Sequence, residues 1–388
     1  MLDFTYNIPT KILFGRNKIE RLAEEIKRYS QRILFVYGSG SIKRNGIYDA
    51  VVGQLIKNDI SFFELSGIKP NPSIQSVRDG IELVRLHNID FILAVGGGST
   101  IDCAKAIAAG FYCDQDPWYY FTGNESKIKK ALPIGTVLTL AGTGSEMNGN
   151  AVITNEQTQE KLAIHTDLIR PKFSILDPTY TFTVPKEHTA AGIIDIFSHV
   201  LEQYFSLVPE TYIQDRFAES ILKACIHYGP IAMNEPRNYD ARANLMWASS
   251  LALNGILAYG KTGDWSTHAM EHALSAMYDV THGVGLAILT PAWMNYVLDD
   301  TTLPKFGTYA LNVWGFHGKD QKKIAKQSIN QTRIFFESFG LPKKLCELGV
   351  PKESLRDMAQ KSCVFGDIGK FKKLNTTDVF KILTAAYE

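Results

Sequence analysis

The sequence predicts two domains: an α/β domain with a parallel, Rossmann-like sheet over residues 1–184, and an all-helical domain over 185–388. Three observations carry this. Short, continuously apolar runs alternate with amphipathic stretches through the first half, and glycine-rich turns follow three of those runs. From about position 185 the apolar residues recur at helical spacing, and few convincing strands follow Leu176. Continuous apolar strands separated by helices are what a parallel sheet covered on both faces requires. A chain of 388 residues is also too long for one ordinary core and suits two domains.

The elements follow in order. Over 16–30, Ile19, Leu22, Ala23 and Ile26 fall at helical spacing, and Ile33-Leu34-Phe35-Val36-Tyr37 is a compact β-run ending at Gly38. A second helical pattern over 73–88 carries Ile74, Val77, Ile81 and Val84, and leads to the β-run Phe91-Ile92-Leu93-Ala94-Val95 ending at Gly96. A third run over 135–140 enters another glycine turn. The stretches 188–205, 214–228, 241–257 and 265–278 read as helices, as does most of the tail.

Composition narrows the function. Apolar residues are 45% and charged residues 21%, a globular balance that excludes disorder. Lys plus Arg is 41 against 40 Asp plus Glu, so the net charge of +1 argues against nucleic-acid and membrane-surface partners, which need a basic excess. Lys127/Lys129/Lys130 and Lys370/Lys372/Lys373 lack interleaved aromatics and read as solvated faces. Five scattered cysteines with no CxxC pair make no disulfide frame and suit a reducing compartment. With no signal-peptide pattern and no apolar run near the ~18 residues of a membrane helix, the expectation is a soluble, cytoplasmic protein.

The turns Gly38-Ser39-Gly40-Ser41, Gly96-Gly97-Gly98-Ser99 and Gly142-Thr143-Gly144-Ser145 sit at the carboxyl ends of β-runs. Each alone is an ordinary turn. Together, at strand ends of one parallel sheet, they converge on a crevice where backbone N–H groups and helix N-termini can meet phosphates. No third glycine completes G-x-G-x-x-G and no Gly-Lys-Ser/Thr follows, so neither common phosphate fingerprint applies. The stretch Tyr37-Gly38-Ser39-Gly40-Ser41-Ile42-Lys43-Arg44 has no acid to bind a ribose 2′-OH and repel a 2′-phosphate, which favours NADP over NAD.

The helical half holds a different constellation. Asp195 and His199 are i, i+4, as are His268 and His272, and His282 follows at a helix start. Ile193, Ile194, Ile196 and Phe197 surround the first pair, so it should be buried. A single histidine reads as a core or capping residue, but an Asp buried without a cation is costly. One carboxylate with imidazoles suits a divalent transition metal, Fe²⁺ and Zn²⁺ alike. His87, His165, His188, His227 and His317 show no such pattern and read as structural.

Gly96-Gly97-Gly98-Ser99-x-x-Asp102-x-x-Lys105, Thr139-x-x-x-Thr143-Gly144-Ser145-Glu146, the Asp195/His199 pair and His268 with His282 resemble the iron-containing (group III) alcohol dehydrogenases. Gly263-Asp264-Trp265-x-x-His268 and the turn at 38–41 resemble the butanol-dehydrogenase-like branch. The resemblance covers almost the whole chain. It implies a dehydroquinate-synthase-like architecture, with Asp195, His199, His268 and His282 as metal ligands. It further implies that Gly96, Gly97, Gly98 and Ser99 hold the cofactor pyrophosphate and Gly38, Ser39, Gly40 and Ser41 its adenosine end. Asp102, Thr139, Thr143 and Lys161 match positions near the nicotinamide and its ribose, His272 a histidine close to the nicotinamide, and Asn150 a position that contacts substrate in some members. The implied reaction passes a hydride between C4 of the nicotinamide and the carbon of a short- or medium-chain alcohol or aldehyde, with His272 relaying the proton. The partners implied are that small substrate and a second copy of the chain, with Phe4-Thr5-Tyr6 a candidate edge strand across a homodimer.

Three other readings compete. A sugar-phosphate cyclase of this fold needs clustered Lys and Arg, yet 192–205 and 262–285 contain neither. A glycerol dehydrogenase usually has one histidine ligand fewer, which His199 disfavours. A non-catalytic metal-binding protein would leave three glycine turns without a purpose. Trp265, Trp247, Phe197 and Met270 suggest an apolar lining for a neutral substrate.

Overall fold

The computed structural model describes residues 1–388, which divide into two compact units. One unit comprises 7–184 with 236–250; the other comprises 1–6, 185–235 and 251–388. A break falls at 184/185, and in addition the first six residues belong to the helical unit while 236–250 belong to the α/β unit.

The α/β unit is built on a six-stranded sheet in the order β1-β8-β5-β4-β2-β3, every neighbouring pair parallel. Its strands are β1 (Lys11–Phe14), β2 (Arg32–Gly38), β3 (Ser61–Ile68), β4 (Phe91–Gly96), β5 (Ile134–Leu138) and β8 (Phe173–Leu176). The three runs singled out in the sequence are the central neighbours β5, β4 and β2. Their side chains alternate between two cores. Leu34, Val36, Ile92 and Ala94 join α4 (Ile74–Leu86) and α5 (Gly98–Gly110) on one face. Ile33, Phe35, Tyr37, Phe91, Leu93 and Val95 join α1 (Leu22–Lys27), α2 (Ser41–Arg44) and α3 (Ile47–Lys57) on the other. Burial on both faces is why these strands read as unbroken apolar runs. An antiparallel hairpin, β6 (Asn150–Asn155) and β7 (Glu160–His165), lies outside this sheet.

The helical unit contains α6 (Lys186–Tyr204), α7 (Tyr212–Asn234), the end of α8 (Tyr239–Leu253), α9 (Ser266–Tyr278), α10 (His282–Val297), α11 (Leu303–Trp314), α12 (Gln321–Glu337), α13 (Leu355–Ser362) and α14 (Thr376–Ala385). From Thr189 to Tyr204 every residue of α6 is buried, which marks it as the central helix. Helices α9 and α10 pack together, and α10 also packs on α6. No helix of the chain is long and apolar enough to cross a membrane.

Candidate functional site

A helix buried all round must account for each polar group it carries. On α6, Gln203 donates to the carbonyls of His199 (2.8 Å) and Ala252 (2.7 Å), and Ser198 meets Thr290 at 3.4 Å. Glu202 accepts from the Thr267 N–H at 2.6 Å and from His268 Nδ1. Asp195 and His199 remain, one turn apart, with His199 Nδ1 lying 3.3 Å from Asp195 Oδ1.

Around them the fold brings His268 from α9 and His282 from the first turn of α10. One ligand atom from each of Asp195, His199, His268 and His282 lies within 4.8 Å of the others. His282 Nε2 stands 3.5 Å from Asp195 Oδ1, and the His199 and His268 rings are 4.6 Å apart. His199 Nδ1 and His268 Nε2 are buried with no hydrogen-bond partner in the chain. Two orphaned imidazole nitrogens facing a carboxylate and a third imidazole fit a divalent cation, which would satisfy both.

The partners behind the imidazoles were not read from the sequence. Glu202 holds Nδ1 of His268 and Glu271 holds Nδ1 of His282. A carboxylate on Nδ1 fixes the tautomer and leaves the Nε2 lone pair for a metal. Each of these acids lies three residues after a candidate histidine, Glu202 after His199 and Glu271 after His268. That spacing alone is the signal they offer. Asp264 secures the start of α9: Oδ1 accepts from the Ser266 N–H at 3.1 Å, and Oδ2 from the Lys370 and Phe371 N–H groups at 2.9 and 2.8 Å. Its own N–H donates to the Glu202 carbonyl at 2.7 Å, tying α9 to α6.

Burial holds His199 well below the ordinary histidine range, and the His268, His282 and His272 rings add to this, so the imidazole is neutral and able to donate a lone pair. Burial also works against protonation of His268, but Glu202, Asp195 and Glu271 outweigh it and raise its pKa. A cation at Nε2 would compete with a proton there. His272 is half-buried one helical turn beyond His268, its ring 5.7 Å from that of His282.

The expected apolar lining needs correction. Trp265 stands beside the cluster, its ring 5.4 Å from His268. Phe197 instead packs against Trp314, Phe335 and Phe336 in the core, and Met270 is wholly buried. Trp247 lies on α8 within the α/β unit, edge-on to Phe14. A helix face that reads as apolar is here an inward face, because α6 is surrounded.

In the α/β unit, the turn Gly96-Gly97-Gly98-Ser99 joins β4 to α5, so the N-terminus of that helix opens at Gly98. A Cβ on Gly98 would sit 2.4 Å from Thr143 Oγ1, so only glycine lets this turn lie against the turn at 142–145. A Cβ on Gly38 would lie 3.9 Å from Thr100 Oγ1, which places the turn after β2 beside the same helix start. The three turns thus meet at one edge of the sheet, with Thr139 half-buried and its N–H on the Gly96 carbonyl at 3.0 Å. Such an edge, with a helix N-terminus at its centre, can hold a dinucleotide pyrophosphate.

Asp102 and Lys161 occupy the adjoining region. Asp102 Oδ1 accepts from Ser145 Oγ at 2.5 Å and Oδ2 from the Val152 N–H at 3.0 Å, so this carboxylate fastens α5 to β6. Burial raises its pKa against the lowering influence of Lys105 and Ser145. Lys161 is buried on β7, opposite Thr154. At the end of β2, Ser39 and Ser41 are exposed, and the Lys43 ammonium lies over the rings of Tyr37 (5.2 Å) and Tyr48 (4.5 Å). Glu64 accepts from both tyrosine hydroxyls, at 2.5 and 2.6 Å. Cys103 is buried, and burial drives its thiol pKa far up, so it is no nucleophile.

Comparison with known proteins covers the whole chain. Residues 9–178 match the family model described as iron-containing alcohol dehydrogenase, and residues 189–387 match that of the C-terminal region of the Fe-containing alcohol dehydrogenase family. The chain is 56% identical to NADH-dependent butanol dehydrogenase A of Clostridium acetobutylicum over 100% of both chains. It is 42% identical to the NADPH-dependent aldehyde reductase YqhD of Escherichia coli over 93% of both. The crystal structure of NADH-dependent butanol dehydrogenase A from Thermotoga maritima superposes with a TM-score of 0.96 at 40% identity, covering 100% of this chain and 99% of that one.

Proposed function

This chain belongs to the iron-containing alcohol dehydrogenase family and is a metal-dependent, nicotinamide-linked alcohol dehydrogenase and aldehyde reductase; from that premise we propose that it reduces neutral short- to medium-chain aldehydes of the butanal type and oxidises the matching alcohols. The observation that carries the site is the buried carboxylate among three imidazoles, two of them with nitrogens that no group of the chain satisfies. We assign Asp195, His199, His268 and His282 to the metal, which would be Fe²⁺ or Zn²⁺. When bound there, such an ion supplies Lewis acidity that lowers the pKa of an alcohol or polarises an aldehyde carbonyl. The nicotinamide supplies or takes up the hydride.

The chain's own residues do the rest. Glu202 and Glu271 keep their imidazoles in one tautomer and one orientation. His272, a turn from His268, carries the proton of the reaction on its ring nitrogen. Gly96, Gly97, Gly98 and Ser99 take the pyrophosphate at the α5 N-terminus, and Gly38, Ser39, Gly40 and Ser41 the adenosine end. Asp102, Thr139, Thr143 and Lys161 line the nicotinamide end, and Asn150 contacts the substrate. Trp265 supplies an apolar wall beside the imidazoles. Lys261 is committed to Asp215 at 2.6 Å, which weighs against a phosphorylated substrate.

For the cofactor we favour NADPH, with NADH also accepted. The relatives' names divide, NADH-dependent for the butanol dehydrogenases and NADPH-dependent for the aldehyde reductase. The absence of a carboxylate from 37–44 supports a pocket open to a 2′-phosphate, with the exposed Ser39 and Ser41 hydroxyls as donors. Loss of A340 with butanal, measured with NADPH and NADH on protein reconstituted with Fe²⁺ or Zn²⁺, tests this. A higher kcat/KM with NADPH is expected; preference for NADH refutes the cofactor assignment, and no turnover with either refutes the substrate class.

Two further readings complete the proposal. The N-terminal segment packs Phe4 and Tyr6, 49% and 62% exposed, against Tyr259, and its backbone joins no sheet. The expected edge strand at Phe4-Thr5-Tyr6 is therefore not formed; the exposed faces of Phe4 and Tyr6 instead support a homodimer built on that surface, and a mass of one chain by light scattering would refute it. The cytoplasm suits both the nicotinamide cofactor and five unpaired cysteines; export of the intact chain in a cell fractionation would refute that placement.

A further inference from the structure

We propose that His165 is a positioning residue for Asn150, turning the amide so that its Nδ2 group is the donor offered to the substrate oxygen. This rests on the reading of Asn150 as a substrate contact. His165 was expected to be structural; the ladder sets it beside Asn150. Asn150 opens β6 and is paired directly with His165, the last residue of β7, in the antiparallel register. Directly opposed side chains share a face and come within contact. His165 Nδ1 lies 2.5 Å from Asn150 Oδ1.

The backbone of Asn150 is held on both sides. Its N–H donates to Asn148 Oδ1 at 2.9 Å, and its carbonyl accepts from Lys105 Nζ at 2.8 Å. Lys105 also donates to Asn148 Oδ1 at 2.9 Å and to Ser145 Oγ at 2.8 Å, so its three N–H bonds meet three acceptors. One residue earlier, a Cβ on Gly149 would lie 2.5 Å from the Thr166 carbonyl oxygen, and the Thr166 N–H donates to the Gly149 carbonyl at 2.9 Å. The two strand ends therefore meet where only glycine fits. With the main chain fixed, the remaining freedom of Asn150 is in its side-chain torsions, and the imidazole contact removes it.

The chemistry of the amide gives this contact its consequence. Desolvation lowers the His165 pKa although part of the side chain reaches solvent, which favours the neutral ring with one N–H. Placed on Nδ1, that hydrogen goes to the amide oxygen and leaves Nδ2 as the group Asn150 can present. An aldehyde oxygen only accepts hydrogen bonds, so an amide turned the other way would face it oxygen to oxygen. His165 thereby selects the productive amide orientation without touching the substrate.

The test uses the reconstituted holoenzyme with butanal. His165→Phe keeps a ring and removes the donor; His165→Ala repeats the comparison should the larger ring prevent folding. His165→Asn keeps an N–H near the Nδ1 position. The donorless variants should raise KM for butanal about tenfold with kcat altered less than about threefold, and His165→Asn should recover most of the loss. Cofactor affinity by nicotinamide fluorescence should be unchanged, and combining His165→Phe with Asn150→Ala should cost no more than Asn150→Ala alone. If Asn150→Ala leaves KM unchanged, the substrate-contact reading fails and the proposal with it. If Asn150→Ala raises KM while the His165 variants do not, or the two losses add, or His165→Asn recovers nothing, the proposal alone is overturned.

Discussion

Glu202 determines what His268 can be. Its two oxygens serve two donors, the Thr267 N–H and the imidazole Nδ1. In Glu202→Gln the shape survives, but the charge is gone and one of the two donors then faces an amide NH₂. The expected result is a metal affinity lower by about 10–100-fold, read by chelator competition. The unsatisfied donor should also cost about 1–3 kcal/mol of urea stability. Unchanged affinity would show that the carboxylate does not support the ligand. The ligand candidates were legible because an apolar helix pays a desolvation cost for an aspartate and a histidine at i, i+4 unless a cation sits between them. Glu202 and Glu271 were not, because an acid three residues from a histidine is equally at home on a solvated helix face; only the burial of α6 and α9 gives it meaning.

Elements place these residues, and α10 crosses α6 at very short range. A Cβ on Gly283 would sit 2.1 Å from the Ala191 carbonyl oxygen, so α10 approaches the α6 backbone where no side chain fits. The neighbouring residue is His282, and Gly283→Ala must push that imidazole away from Asp195. Overpacking of this kind costs about 1–3 kcal/mol, and the metal should bind more weakly as well. Gly53→Ala is the contrast: on α3 its Cβ meets nothing within 4 Å, so removing a helical glycine there should stabilise by about 0.4–1 kcal/mol and leave metal binding alone. Urea midpoints and chelator competition on both variants check the pair; equal effects would refute the crossing argument. The same scale explains what the sequence showed of the fold. β2, β4 and β5 are central strands buried on both faces, so their apolar runs are unambiguous. The edge strands were not seen. β3 reads Ser-Phe-Phe-Glu-Leu-Ser-Gly-Ile with only its last residue buried, and β1 is four residues long. The β6–β7 hairpin escaped because its strands are short and bury only Ala151, Ile153 and Ile164 of their apolar residues, and it carries Asn150 and His165 together.

For the whole molecule, the two units divide the ligands. All four metal candidates lie in the helical unit, on α6, α9 and α10, and the three glycine turns lie in the α/β unit. A ligand that binds only the folded state stabilises what it binds by RT ln(1 + [L]/Kd), about 4 kcal/mol at a thousandfold excess over Kd. Chelation should therefore act on one unit and nicotinamide on the other. After removal of the metal, amide exchange is expected to quicken in α6, α9 and α10, where the Asp195 carboxylate, buried with His199 and His268, loses its counter-charge. β2, β4 and β5 should keep their protection. Adding NADPH to the chelated protein should slow exchange at the β4–α5 and β2–α2 turns and leave α9 and α10 exposed. Hydrogen exchange read by mass spectrometry separates these segments. A uniform loss across both units on chelation would mean that the metal stabilises the fold as one body, and the assignment of a separate ligand to each unit would fall with that result.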